Sequence, residues 1–159
     1  MALELKFGST AGMADPVPSI ELFAHADCED LDLNWLTAKA REAFLHCLES
    51  AGSEEAFLSG LEGIEISVVS NETIAEVHGR FMDDPTPTDV ITFHHGEILV
   101  SVDTARQEGP RHGNDVQIEM LLYIIHGLLH LNGHTDLVEP DCELMHNCQE
   151  RILAEVTAN

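Results

Sequence analysis

From Val116 to Leu131 the chain reads VQIEMLLYIIHGLLHL, apolar on nearly every side of any helix it forms. Such a helix has no polar face to give to water, so it must run through the middle of the core with the rest of the chain arranged around it. The polar exceptions near its end are His126 and His130. Four residues apart, they share one helical face with about 6 Å between them. Two imidazoles so placed can grip one zinc-sized ion at about 2.0–2.1 Å each.

His134 continues the row, but a rise of about 1.5 Å per residue leaves it about 12 Å along a straight helix from His126. It cannot share an ion with both, and it is expected to cover the site or to contact substrate. Gly133 offers the left-handed conformation that ends a helix and turns the chain back. That turn brings Asp136 round, so the expected metal ligands are His126, His130 and Asp136. Buried, hydrogen-bonded histidines and an ordinary turn aspartate are the plainer alternative; the glycine and aspartate at these offsets weigh against it.

At 159 residues a single domain is expected, large enough to bury about two-thirds of its unfolded surface. The formal charge is −22, with 7 lysines and arginines in all. Nucleic-acid binders normally present a basic surface, so the total charge reads as an acidic, highly soluble exterior. Arg80, Arg106 and Arg111 lie in the same stretch as most of the histidines, which allows a local positive pocket, metal included, inside an acidic shell. The start, MALELKFGST, lacks the basic segment and apolar core of an export signal. Met120 to Leu131 is too short to cross a bilayer, so a cytoplasmic location without membrane contact is expected. Cys28, Cys47, Cys142 and Cys148 form no CxxC pair and read as free thiols.

Glycine, serine and proline between Gly8 and Pro18 mark residues 1–18 as a flexible leader, leaving 19–159 as the domain. Ile20 to Ala24 reads as a strand, and Asn34 to Leu48 as a helix with Leu36, Ala40, Phe44 and Leu48 inward. Ala51 to Gly63 is loop; Ile64, Ile66 and Val68 then alternate as in a half-buried strand. Asn71 is expected to cap a helix carrying Ile74, Val77 and Phe81. Pro85 and Pro87 forbid helix, and Val90 to Phe93 and Ile98 to Val102 make a hairpin through His94, His95 and Gly96. Asn114 with Gln117 suggests a capping pattern for the central helix. Pro140 opens a last helix whose stripe is Leu144, Cys148, Ile152 and Val156. The order β-α-β-α-β-β-α-α is an α+β fold, a small mixed sheet packed with helices and a metal site at the end of a central buried helix.

Three blocks carry a resemblance: Pro87-Thr88-Asp89-Val90-Ile91-Thr92-Phe93, the strand start Gly96-Glu97-Ile98, and His126-Gly127-Leu128-Leu129-His130-Leu131-Asn132-Gly133. With the helix from Pro140 to Val156, they make the chain from Ile64 onward similar to the YbeY family of bacterial rRNA maturation endoribonucleases. The resemblance implies an α+β fold and a single zinc-type ion, other divalent metals being possible. It implies endoribonuclease activity on single strands, in maturation of the small-subunit (16S) rRNA 3′ end and in ribosome quality control. Implied partners are rRNA and the small ribosomal subunit, with ribosomal or assembly-factor proteins. The family commonly closes its motif with tyrosine, aspartate and a third histidine ligand; here His134, Thr135 and Asp136 stand there, so aspartate takes the third-ligand place. Five residues before the PTDV proline the family usually has arginine, whereas this chain has Met82. Arg80 is the nearest arginine and the candidate catalytic substitute.

Two imidazoles and a carboxylate leave a divalent ion with an open position, where it can lower a water's pKa from about 15.7 towards 7. Hydrolysis is the natural chemistry. Arg80, Arg106 and Arg111 are candidates for phosphates, and His94, His95, Phe93 or Tyr123 for bases. His94, His95 and Arg106 are the expected substrate-binding residues, with Thr88 and Asp89 bracing the strand beside the metal helix. A zinc peptidase is a second reading, but such enzymes carry glutamate directly after the first histidine, where this chain has Gly127. A third is a non-catalytic ribosome-assembly factor with a structural metal, which normally needs four protein ligands. Because a carboxylate donates more charge than a third imidazole, the site is expected to tolerate harder ions such as manganese. Asp136→His should therefore narrow the metal range towards zinc and shift the pH–rate profile to lower pH; an unchanged metal series and profile would refute this assignment.

Overall fold

The computed structural model describes residues 18–158; the expected leader, apart from Pro18, lies outside them. In chain order the elements are β1 (Ser19–Ala24), α1 (Leu33–Leu48), β2 (Gly63–Val69), α2 (Asn71–Met82), β3 (Val90–Phe93), β4 (Glu97–Ser101), α3 (Val102–His112), α4 (Val116–Leu131) and α5 (Asp141–Val156). A short 3-10 turn, Leu58–Gly60, precedes β2. The strands form one mixed sheet ordered β1-β2-β4-β3, with β1, β2 and β4 parallel and β3 antiparallel to β4. The α+β class and the hairpin are as the sequence indicates, except that β4 ends at Ser101 and Val102, read as strand, opens α3.

Side-chain alternation divides the sheet between two helical layers. Ile64, Ile66 and Val68 of β2, with Ile98 and Val100 of β4, join the large core formed with α1, α4 and α5. Val69, Ile91 and Leu99 face the other way and close over Ile74 of α2. Helix α4 contacts α1, α3, α5, β3 and β4, and Met120, Leu121, Ile124, Ile125, Leu128 and Leu129 on it are fully buried. Its one carboxylate, Glu119, is buried too, but it accepts from His112 Nδ1 at 2.8 Å and Asn114 Nδ2 at 2.9 Å. Both oxygens are thus partnered inside the core, as burial of a charge requires.

Several local expectations need correction. Helix α3 is an extra element that the sequence reading passed over, because VDTARQEGPRH has no apolar period and carries Gly109 and Pro110 near its end. Ser101 caps it by accepting from the Thr104 amide at 3.1 Å. Ser70, not Asn71, caps α2, leaving Asn71 Oδ1 to accept from Ser101 Oγ and Thr104 Oγ1. Asp115, not Asn114, caps α4. The ends of three apolar stripes, Leu48, Phe81 and Leu144, are exposed. A step of four residues advances about 40° beyond a full turn, so a strict i+4 row drifts off the buried face, and Cys47 and Met145 are buried instead. All four cysteines are free. Among the described residues, no helix is long and apolar enough to cross a membrane.

Gly127 marks a close approach of α4 to the sheet: a Cβ there would lie 2.9 Å from Ile98 Cγ2 and 3.2 Å from Thr92 Oγ1. In an exposed helix glycine-to-alanine gains about 1 kcal/mol, whereas overpacking a core costs about 1–3 kcal/mol. Gly127→Ala is therefore expected to destabilise the fold, read as a lower urea midpoint with an unchanged slope. A raised midpoint would contradict this close approach.

Candidate metal centre and cleft

The centre is built where α4 stops. Gly133 takes φ +91°, the His134 amide donates to the Leu129 carbonyl at 3.0 Å, and the Gly133 amide donates to the His130 carbonyl at 3.1 Å. These two bonds with a left-handed glycine are a Schellman ending, which reverses the chain and carries Asp136 back towards the helix. The loop between α1 and β2 locks the turn from outside. The Gly52, Glu54 and Phe57 amides donate to the Asn132, Gly133 and Leu131 carbonyls at 3.0, 2.8 and 2.7 Å. In return, Asn132 Nδ2 donates to the carbonyls of Cys47 and Ser50. The fit leaves no spare room, since a Cβ on Gly133 would meet the Glu54 carbonyl oxygen at 2.5 Å.

His126, His130 and Asp136 come together: one ligand atom from each lies within 4.8 Å of the others. His126 Nε2 is 3.0 Å from His130 Nε2 and 3.4 Å from Asp136 Oδ2, and His130 Nε2 is 4.0 Å from Asp136 Oδ1. Tetrahedral ligands at about 2.05 Å from one ion are separated by about 3.3 Å, so these spacings fit a single cation. The hydrogen-bond accounting leads to the same end. His130 Nδ1–H donates to the His134 carbonyl at 3.0 Å, and His126 Nδ1–H donates to Gln149 Oε1 at 2.8 Å. With both Nδ1 atoms carrying the proton, both neutral rings present bare Nε2 lone pairs to each other. Burial, and next the neighbouring His126, hold the His130 pKa below its ordinary value of 6.5, so that ring favours its neutral, ligating form.

Around the triad lies an open cavity of about 560 Å³, whose wall includes Glu54, Glu55, Phe57, Met82, Asp89 and His94. Asp89 Oδ1 accepts from the Val90 amide at 2.8 Å and from Thr88 Oγ1 at 3.3 Å, so it braces the start of β3. His134, also in the wall, is only 5% exposed; its Nε2–H donates to the Ser50 carbonyl at 2.7 Å, which makes it an anchor for the turn.

Other expected site residues fall elsewhere. Arg80 is 68% exposed and faces Glu76, while Met82, two residues on, enters the cleft wall. Arg106 is held by Asp30 at 2.7 and 2.9 Å and by Asp103 at 3.3 Å. Arg111 pairs with Glu108. His95 pairs with Glu97 at 3.3 Å and lines a separate depression. Tyr123 is 4% exposed, and burial raises its pKa. Of Arg80, Arg106, Arg111, Phe93, His94, His95 and Tyr123, only His94 lines the cleft, and among the described residues no lysine or arginine does.

The sequence model of the Endoribonuclease YbeY family matches residues 26–157. The chain belongs to the YbeY family. Endoribonuclease YbeY of Bacillus licheniformis is 29% identical over 125 residues, 67% of this chain and 78% of that protein. Its counterpart in Thermus thermophilus is 29% identical over 131 residues, 75% of this chain and 90% of that protein. A Thermotoga maritima protein, known from its solution structure, shares the fold with a TM-score of 0.56 at 22% identity, covering 87% of this chain and 89% of its own.

Within this YbeY member, sequence reasoning missed Gln149 and the wall residues Glu54, Glu55 and Phe57. Gln149 sits on the polar side of α5, and no local pattern ties it to a histidine twenty-three residues earlier. Gly52, whose Cβ would clash with the Gly133 carbonyl, was a hint of the loop's close packing. Outer partners of metal-bound histidines typically matter by about 10–100-fold in affinity. Gln149→Leu should weaken zinc binding by about that factor and Gln149→Glu should restore it, measured by competition with a chromophoric chelator. Equal affinities in all three proteins would remove Gln149 from the site.

Proposed function

We propose that this chain is a metal-dependent endoribonuclease acting on single-stranded regions of rRNA, with a place in small-subunit 3′-end maturation and ribosome quality control in the cytoplasm. Family membership supports the reaction class. The observation that carries the chemistry is the pair of histidines with both Nδ1–H groups engaged and Nε2 atoms 3.0 Å apart beside Asp136. His126, His130 and Asp136 are the ligands in this reading, and zinc is the proposed ion. A bound divalent cation supplies Lewis acidity towards a phosphoryl oxygen and makes water a nucleophile near neutral pH.

The chain's own groups do the rest. Gln149 and the His134 carbonyl hold each imidazole in the tautomer that leaves Nε2 free. Asp136 would offset part of the ion's charge and lines the cleft with its side chain 44% exposed. Only three ligating residues gather among the described residues, which leaves a position for substrate or solvent and favours catalysis over a closed structural site.

A peptidase is disfavoured by Gly127, which supplies no carboxylate where such enzymes carry their glutamate and where a Cβ would crowd Ile98 and Thr92. The non-catalytic assembly-factor reading predicts RNA binding without cleavage. Incubation of the purified protein with single-stranded rRNA fragments distinguishes the three. Cleavage is expected with zinc, is lost with chelator, returns on zinc addition, and is absent in His126→Ala. Cleavage that survives in both chelator and His126→Ala would defeat the metal-dependent reading.

A further inference from the structure

The cleft is an unusual surface for gripping RNA. Its lining includes the carboxylates of Glu54, Glu55, Asp89 and Asp136 and, among the described residues, no lysine or arginine. Lys39, Arg80, Arg106, Arg111 and Arg151 are each paired with a carboxylate elsewhere in the fold. Phosphate affinity normally comes from protein cations that displace the counterions of the nucleic acid. Such cations do not line this wall, and its carboxylates repel phosphates.

What the wall offers instead is an aromatic platform. Phe57 and His94 stack with ring centroids 4.3 Å apart and planes 19° from parallel. Both line the cavity that holds the triad; His94 is exposed at the tip of the β3–β4 hairpin and Phe57 lies half-buried beneath it. The platform is also fixed relative to the ion ligands, because the Phe57 amide donates to the carbonyl of Leu131, the residue after His130, at 2.7 Å. Half-exposed Met82 adds an apolar edge to the same wall. A nucleobase is planar and uncharged, and it stacks on aromatic faces regardless of sequence. Stacking therefore works beside carboxylates where phosphate contact does not.

We propose that Phe57 and His94 form a base-stacking subsite that holds one nucleobase of single-stranded RNA next to the phosphate positioned at His126, His130 and Asp136. The subsite rests on the endoribonuclease reading and adds to it how the strand is held: by a base, with phosphate contact confined to the ion.

The test uses the full chain with zinc and a single-stranded RNA, intact or carrying one abasic nucleotide next to the cleaved bond, with steady-state cleavage measured for wild type, His94→Ala and His94→Phe. One lost base–aromatic stack corresponds to roughly a 5- to 150-fold change, expected as a rise in KM with kcat within about twofold. The abasic RNA should show the same rise with wild type and no further rise with His94→Ala, and His94→Phe should restore KM on intact RNA. The slope of log KM against log salt should stay shallower than about 1.4, the value for two phosphate contacts on a single strand. Cleavage with unchanged KM in His94→Ala, additive losses on abasic RNA, or a steeper salt slope would overturn the subsite alone. No cleavage of any RNA by the zinc-loaded wild type would overturn the endoribonuclease reading and the subsite with it.

Discussion

Two unprotonated imidazole nitrogens facing each other at 3.0 Å repel unless a cation lies between them, and much of the polar bonding around the cleft keeps them in that position. Gln149 on α5 orients His126, and the His134 carbonyl orients His130. That carbonyl is placed by the glycine turn, which the α1–β2 loop holds through backbone bonds to residues 131–133 and through the Asn132 amide. Helices α1, α4 and α5 therefore converge on one arrangement of two rings. The site's supports are thus a side chain from within α5, the glycine turn that ends α4, and the loop that follows α1.

Charge sets the second constraint. A chain with a formal charge of −22 repels RNA at long range, and the cleft does not reverse that locally. In the proposed reading the positive partner for a phosphate is the ion, its charge partly offset by Asp136. Binding and chemistry are thereby tied to the same cation. On that proposal, the cleft would discriminate between a strand that places a base and a phosphate together in it and one that only carries negative charge.

How legible the fold was depended on whether an element declares itself through an apolar period. Helix α4 was legible to within a residue of its observed ends, Val116–Leu131, because an all-round apolar run bounded by polar residues admits one interpretation. The β3–β4 hairpin was equally readable from its prolines and β-branched residues. Helix α3 was not, since its polar sequence is held by the Ser101 cap and by packing on α4. Caps shifted by one residue at α2 and α4 because serine, aspartate and asparagine lie side by side there, and only the backbone decides which of them turns in.

The sequence alone determined the class of fold, the central helix, and the grouping of His126, His130 and Asp136, because helical spacing and a glycine turn are local geometry. Tertiary structure decided everything that depends on distant segments meeting. It brought Gln149 to His126, tied His134 to Ser50, placed Met82 rather than Arg80 in the cleft wall, and stacked Phe57 on His94. These pairings join residues on different elements, and their partners are set by how α4 packs against the sheet and its neighbouring helices, which no local pattern encodes.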